Sequence, residues 1–126
     1  MSMNAMELVA EAKSQITEIE PAAAATAMRS ALLLDVREAA EFEVGRLPGA
    51  INIPRGVLEF RIGDHPLLSR RDTDILVYCK TSGRAALAAL NLKRMGYTNV
   101  RSIHGGFDAW SHLGLPLEQE ATQFGD

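Results

Sequence analysis

The only cysteine in the 126-residue chain, Cys79, opens the run Cys79-Lys80-Thr81-Ser82-Gly83-Arg84. The apolar stretch Ile75-Leu76-Val77-Tyr78 comes directly before it, and a long apolar helical pattern follows it. A thiol is thus delivered at the carboxyl end of a buried strand, in a short cationic loop, at a helix amino terminus. These conditions favour a thiolate nucleophile and hold an anion beside it. Arg84 falls in the first helical turn, where the macrodipole disfavours a cation, and Lys80 adds a second positive charge. Positive charge on a positive helix end makes sense if an anion arrives to neutralise it. Thr81, Ser82 and Gly83 are small enough for backbone amides to curl inward around that anion. The competing reading, a buried core thiol with Arg84 as a solvated charge, fits this placement less well, because sites gather beyond the carboxyl ends of strands in α/β sheets.

The surrounding pattern predicts the elements that position this loop. Apolar residues at Leu8, Ala12, Ile16 and Ile19 mark an amphipathic amino-terminal helix, with Ile16 to Ile19 equally readable as a strand. Pro21 opens a second helix through Ala27 or Arg29, and Leu32 to Val36 reads as a buried strand. A short helix from Glu38 to Val44 stops at Gly45, and Ala50 to Ile53 is a strand ended by Pro54. Val57 to Leu68 is ambiguous. Ile75 to Tyr78 and Val100 to Ile103 are strands, with a buried helix from Ala85 to Met95 between them and Gly96 as its cap. Gly105-Gly106 leads into a helix containing Phe107 and Trp110. Alternation of this kind predicts a single α/β domain with a central, mainly parallel sheet and helices on both faces. Its divisions are a helical extension over residues 1–15, the domain over 16–117 and a loose polar tail over 118–126.

Composition narrows the function. A formal net charge of −3 and a pI near 5.6 argue against general nucleic-acid binding. One cysteine excludes an internal disulfide and suits a reducing compartment. Neither a signal-type apolar run nor a membrane-length stretch is present, so a cytoplasmic setting without membrane contact is expected. His65, His104 and His112 with one cysteine offer no metal-ligand spacing, so no metal and no cofactor are expected.

Other polar residues are weighed individually. Asp35, at a strand end, is an accessory candidate, although bonding to loop amides or pairing with Arg37 is the preferred reading. Glu41 is taken as structural. His104, before Gly105-Gly106 at another strand end, is a second accessory candidate that could face the loop.

Four ordered segments carry a family resemblance: Leu33 to Arg37; Glu41-Phe42 through Gly45 to Pro54; Tyr78 to Arg84; and Gly105-Gly106-Phe107 with Trp110. In that order the chain resembles the rhodanese family of sulfurtransferases. The resemblance implies a persulfide-carrying nucleophile at Cys79, an amide-lined cradle from Lys80 to Gly83, and Arg84 closing the loop and helping to hold a substrate anion. It also implies transfer of sulfur from thiosulfate or a related small anionic donor to cyanide or an external thiol, a protein thiol among them. Arg46 departs from the pattern, which usually has histidine there. A phosphatase or arsenate reductase is the runner-up enzyme class, but those loops carry five residues between cysteine and arginine where this chain has four. A dedicated persulfide carrier or binding module is the remaining alternative.

Overall fold

Apolar runs without polar alternation become the strands covered on both faces, as parallel sheets require. In the computed structural model, which describes residues 2–119, the elements in chain order are α1 (Ala5–Lys13), β1 (Thr17–Ile19), α2 (Pro21–Ala27), β2 (Leu32–Asp35), α3 (Ala39–Val44), β3 (Gly45–Arg46), β4 (Ile51–Asn52), α4 (Leu58–Arg61), β5 (Ile75–Tyr78), α5 (Gly83–Arg94), β6 (Val100–Ile103), α6 (Gly106–His112) and β7 (Glu118–Gln119). Short 3-10 turns flank α4 over Arg55–Val57 and Ile62–Asp64. Five strands form one sheet in the order β1-β6-β5-β2-β4, with every pairing parallel. This is the α/β architecture expected from the alternation of strands and helices.

Side-chain alternation along the central strands divides the core into two layers. Leu34, Ile75 and Val77 pack with Ala85, Ala88 and Leu92 of α5. Leu33, Leu76, Tyr78 and Ile103 pack on the other side with Ala24 of α2 and Trp110 of α6. The parallel register sets Leu34 beside Val77 and Asp35 beside Tyr78, so the carboxyl ends of β2 and β5 finish side by side.

The amino-terminal helix is capped by a reciprocal pair: Asn4 Oδ1 accepts from Glu7 N–H at 2.8 Å, and Glu7 Oε1 from Asn4 N–H at 3.0 Å. Ala12 is fully buried and packs with Ala86 and Leu90 of α5. Helix α5 starts at Gly83, earlier than the Ala85 expected, because the loop residues themselves adopt the first helical turn. At the start of the expected tail over 118–126 lies the short strand β7. Glu118 and Gln119 pair antiparallel with β3, and Arg46 Nε approaches Glu118 Oε1 at 3.5 Å. Neighbouring polar residues carried no strand signal; the edge of β3 supplies the order. Residues 120–126 lie outside the described residues. Among the described residues, no helix is long and apolar enough to cross a membrane.

Candidate active site

Beyond β5 the chain turns through Cys79–Ser82 and enters α5. Cys79 is 1% exposed, and its Sγ accepts the Ala85 N–H at 3.3 Å. Ala85 lies in the first turn of α5, whose amides have no helical partner and carry the positive end of the helix dipole. The sulfur therefore faces a built-in positive field. On the other side, Cys79 and Lys80 present their carbonyls to α6, accepting the Phe107 and Asp108 N–H groups at 2.8 and 2.9 Å. The loop is thus fixed between the amino ends of two helices.

Arg84 lies on the first turn of α5, and both its terminal nitrogens are engaged. Nη1 donates to Glu41 Oε1 at 2.8 Å and Nη2 to Glu41 Oε2 at 3.1 Å. Glu41, treated as structural from the sequence, is thus the residue that holds Arg84 to α3. Paired with Glu41, the Arg84 guanidinium is raised further above its ordinary value. Hydrogen bonding from Arg84 in turn pushes the Glu41 carboxyl down to about 2 against its ordinary 4.5, outweighing partial burial.

A carboxyl depressed in the folded state stabilises the fold above its unfolded value, and that contribution disappears as pH falls through the folded value. The stability gap between wild type and Glu41→Gln should therefore be constant above about pH 5 and close as pH drops from 4.5 to about 2. Urea midpoints measured across that range test this; a gap unchanged down to pH 2 would count against the pair.

Lys80 donates to Asp108 Oδ2 at 2.7 Å on the exposed rim. Ser82 Oγ accepts from Lys13 Nζ of α1 at 2.7 Å. Thr81 is exposed.

The two accessory candidates fall differently. Asp35 is fully buried and directed at Arg37, accepting its backbone N–H at 2.8 Å and Nη2 at 2.7 Å. Its side-chain oxygens bond to Arg37, the pairing that the sequence reading preferred. Arg37 also donates to the Gly45 carbonyl and lies 4.4 Å from the centre of the Phe107 ring, which braces α6. Burial would lower the Arg37 guanidinium, but the bonds and charge of Asp35 outweigh it and the value rises. His104 is exposed, with Nδ1 at 3.1 Å from Glu20 Oε2. It lines an open groove of about 540 Å³ together with Thr81 and Asp108. A second groove, of about 470 Å³, has Ala40, Val44 and Phe107 as apolar walls and Lys80 and Glu41 at its rim.

The family model of the Rhodanese-like domain matches residues 18–113. The chain belongs to the rhodanese-like family. Among its relatives, a sulfurtransferase of Allochromatium vinosum is 34% identical over 86 residues, covering 68% of this chain and 77% of that protein. The thiosulfate sulfurtransferase GlpE of Actinobacillus succinogenes is 35% identical over 108 residues, covering 81% and 90%. A solved structure from Rhodopseudomonas palustris, described as a protein of unknown function and possible tyrosine phosphatase, superposes with a TM-score of 0.86. It is 31% identical and covers 94% of this chain and 96% of its own. A Rhodanese-like domain across most of the chain, together with sulfurtransferase relatives, supports sulfur transfer as the general chemistry.

Arg46, the departure from the rhodanese pattern, closes the end of α3, donating to the Phe42 carbonyl at 3.1 Å and stacking 5.0 Å from the Phe42 ring. None of these bonds reaches the loop. The contacts that sequence reasoning missed are the grip of Glu41 on Arg84, the anchoring of the loop to α6 and the approach of Lys13. The Glu41 segment was visible as a motif, but its partner lies 43 residues away.

Proposed function

We propose that this protein is a thiosulfate-type sulfurtransferase in which Cys79 carries the sulfur. The observation that carries the reading is the sulfur's position: a buried Sγ receiving an amide from the first turn of α5. There the Ala85 amide at the helix end is placed to bond a negatively charged sulfur during the transfer. The thiolate attacks the outer sulfur of thiosulfate, the S–S bond breaks, and sulfite departs with the bonding electron pair. Cyanide or an external thiolate then attacks the terminal sulfur of the persulfide and restores the Cys79 thiolate. With no second cysteine in the chain, the acceptor comes from outside. Lys80 to Gly83 supply the cradle, and Arg84, held by Glu41, closes it. A lone reduced thiol with this role suits a cytoplasmic setting.

Phosphate-ester hydrolysis is the reading to set against it, given the description of the Rhodopseudomonas palustris relative. Two features weigh against it: the loop has four residues between Cys79 and Arg84, and the arginine fork that would grip a phosphoryl group is occupied by Glu41. Intact-mass measurement decides. Thiosulfate should add the mass of one sulfur atom, and cyanide or dithiothreitol should remove it. Faster cleavage of an aryl phosphate than transfer of sulfur would sink the proposal. A sulfur adduct that forms but does not turn over with cyanide would point to a dedicated carrier.

A further inference from the structure

Helix α1 precedes residue 18, where the family match begins, yet it reaches the active loop. Lys13 Nζ donates to Ser82 Oγ at 2.7 Å, and a Cβ placed on Gly83 would lie 3.5 Å from Val9 Cγ2. The helix is not loosely attached. Its amino end is capped by Asn4 and Glu7, Ala12 is buried against α5, and Lys93 Nζ holds the Gln15 carbonyl at 2.8 Å. Lys13 is therefore delivered to the loop by a packed element.

The charges around the loop differ in how they are satisfied. Arg84 is hydrogen-bonded to Glu41 and Lys80 to Asp108. Lys13 bonds to an uncharged hydroxyl, and its nearest carboxylate, Glu18 Oε2, stands 3.8 Å away. An ammonium has three donors, so further N–H groups remain beyond the one given to Ser82. It also sits by the positive end of α5, where a cation is disfavoured until an anion joins it.

We propose that Lys13 is a binding residue for the anionic sulfur donor, with α1 completing the cradle from outside the family domain. The role rests on the thiosulfate reading above and assigns Lys13 the oxygen-bearing end of a small dianion. Through Ser82, the same ammonium fixes the loop peptide that leads into α5.

Thiosulfate binding to Cys79→Ser, which cannot react, separates the two readings. Adding Lys13→Met should raise the Kd measured by calorimetry about five- to tenfold, the effect of one charge-assisted bond at a partly exposed site. Lys13→Arg should recover most of it, and the Kd of the Met variant should respond less to added salt. If circular dichroism shows that Lys13→Met loosens α1, Lys13→Gln, which keeps an uncharged donor for Ser82, carries the same expectation. An unchanged Kd, or no recovery with arginine, overturns the assignment. Thiosulfate that binds Cys79→Ser and depends on Lys13, combined with a wild type that never transfers sulfur, would overturn the proposed reaction and leave Lys13 standing. Absence of saturable binding to Cys79→Ser would overturn both.

Discussion

Replacing Cys79 by serine is expected to abolish sulfur transfer, with a loss on the order of a thousandfold or more, the scale seen when a covalent nucleophile is removed. A hydroxyl at neutral pH supplies almost no oxyanion, and oxygen cannot form the persulfide that the proposed reaction requires. Folding should survive. Cys79 is buried among Leu34, Val36, Val77 and Ala85, so a serine there adds polarity to an apolar layer. It still has the Ala85 N–H to bond with, and the cost should stay at about 1 kcal/mol. Thiosulfate:cyanide turnover and a urea midpoint on the same preparation check both halves. Retained turnover in the folded variant would remove Cys79 from the chemistry.

Local signals made the sheet legible. Ile75 to Tyr78 and Val100 to Ile103 have the same limits in sequence and structure: the first is a continuous apolar run, and the second sets the β-branched Val100 and Ile103 at the ends of a four-residue stretch between turn residues. Where the signal depended on partners, the limits moved. The expected strand from Ala50 to Ile53 shortens to Ile51–Asn52, since pairing with β2 extends only across Leu34 and Asp35. Val57 to Leu68 had no clear period, and it folds as the one-turn helix α4 with 3-10 turns on either side.

The candidate site divides along the same line. Cys79 through Arg84 are contiguous, so strand, loop and helix start could be read together. Glu41 and Lys13 reach that loop from α3 and α1, and no spacing rule connects them to it. Asp35 shows why strand-end position alone is weak evidence of function. Its carboxylate stands where a site residue would be sought, yet Arg37, two residues on, takes its oxygens in a buried pair. What that pair does for the loop is indirect: it orients the guanidinium under Phe107, and Phe107 N–H ties down the Cys79 carbonyl.

Gly106→Ala should be the most damaging change that leaves every charged and nucleophilic group in place. Gly106 has φ +57, and a Cβ there would collide with the carbonyl oxygens of Thr81 and Cys79 and lie 2.9 Å from that of Lys80. These are rigid backbone atoms on the segment that carries the sulfur. An alanine could enter only by moving α6 away from the loop, which would stretch or break the bonds from Phe107 and Asp108 to the Cys79 and Lys80 carbonyls. The left-handed conformation itself costs roughly 1 to 2 kcal/mol for a residue with a Cβ. Each neutral bond lost adds about 1 kcal/mol. A destabilisation of about 3 kcal/mol or more is therefore expected, with sulfur transfer falling further than stability alone explains, because the Cys79 carbonyl and Sγ belong to the same residue. Gly49→Ala provides the comparison. Its φ is +74, but nothing lies within 4 Å of where a Cβ would stand, so it should carry the backbone cost alone and keep its activity. Equal losses in the two variants would mean that the close approach of α6 to the loop does not hold the sulfur in place.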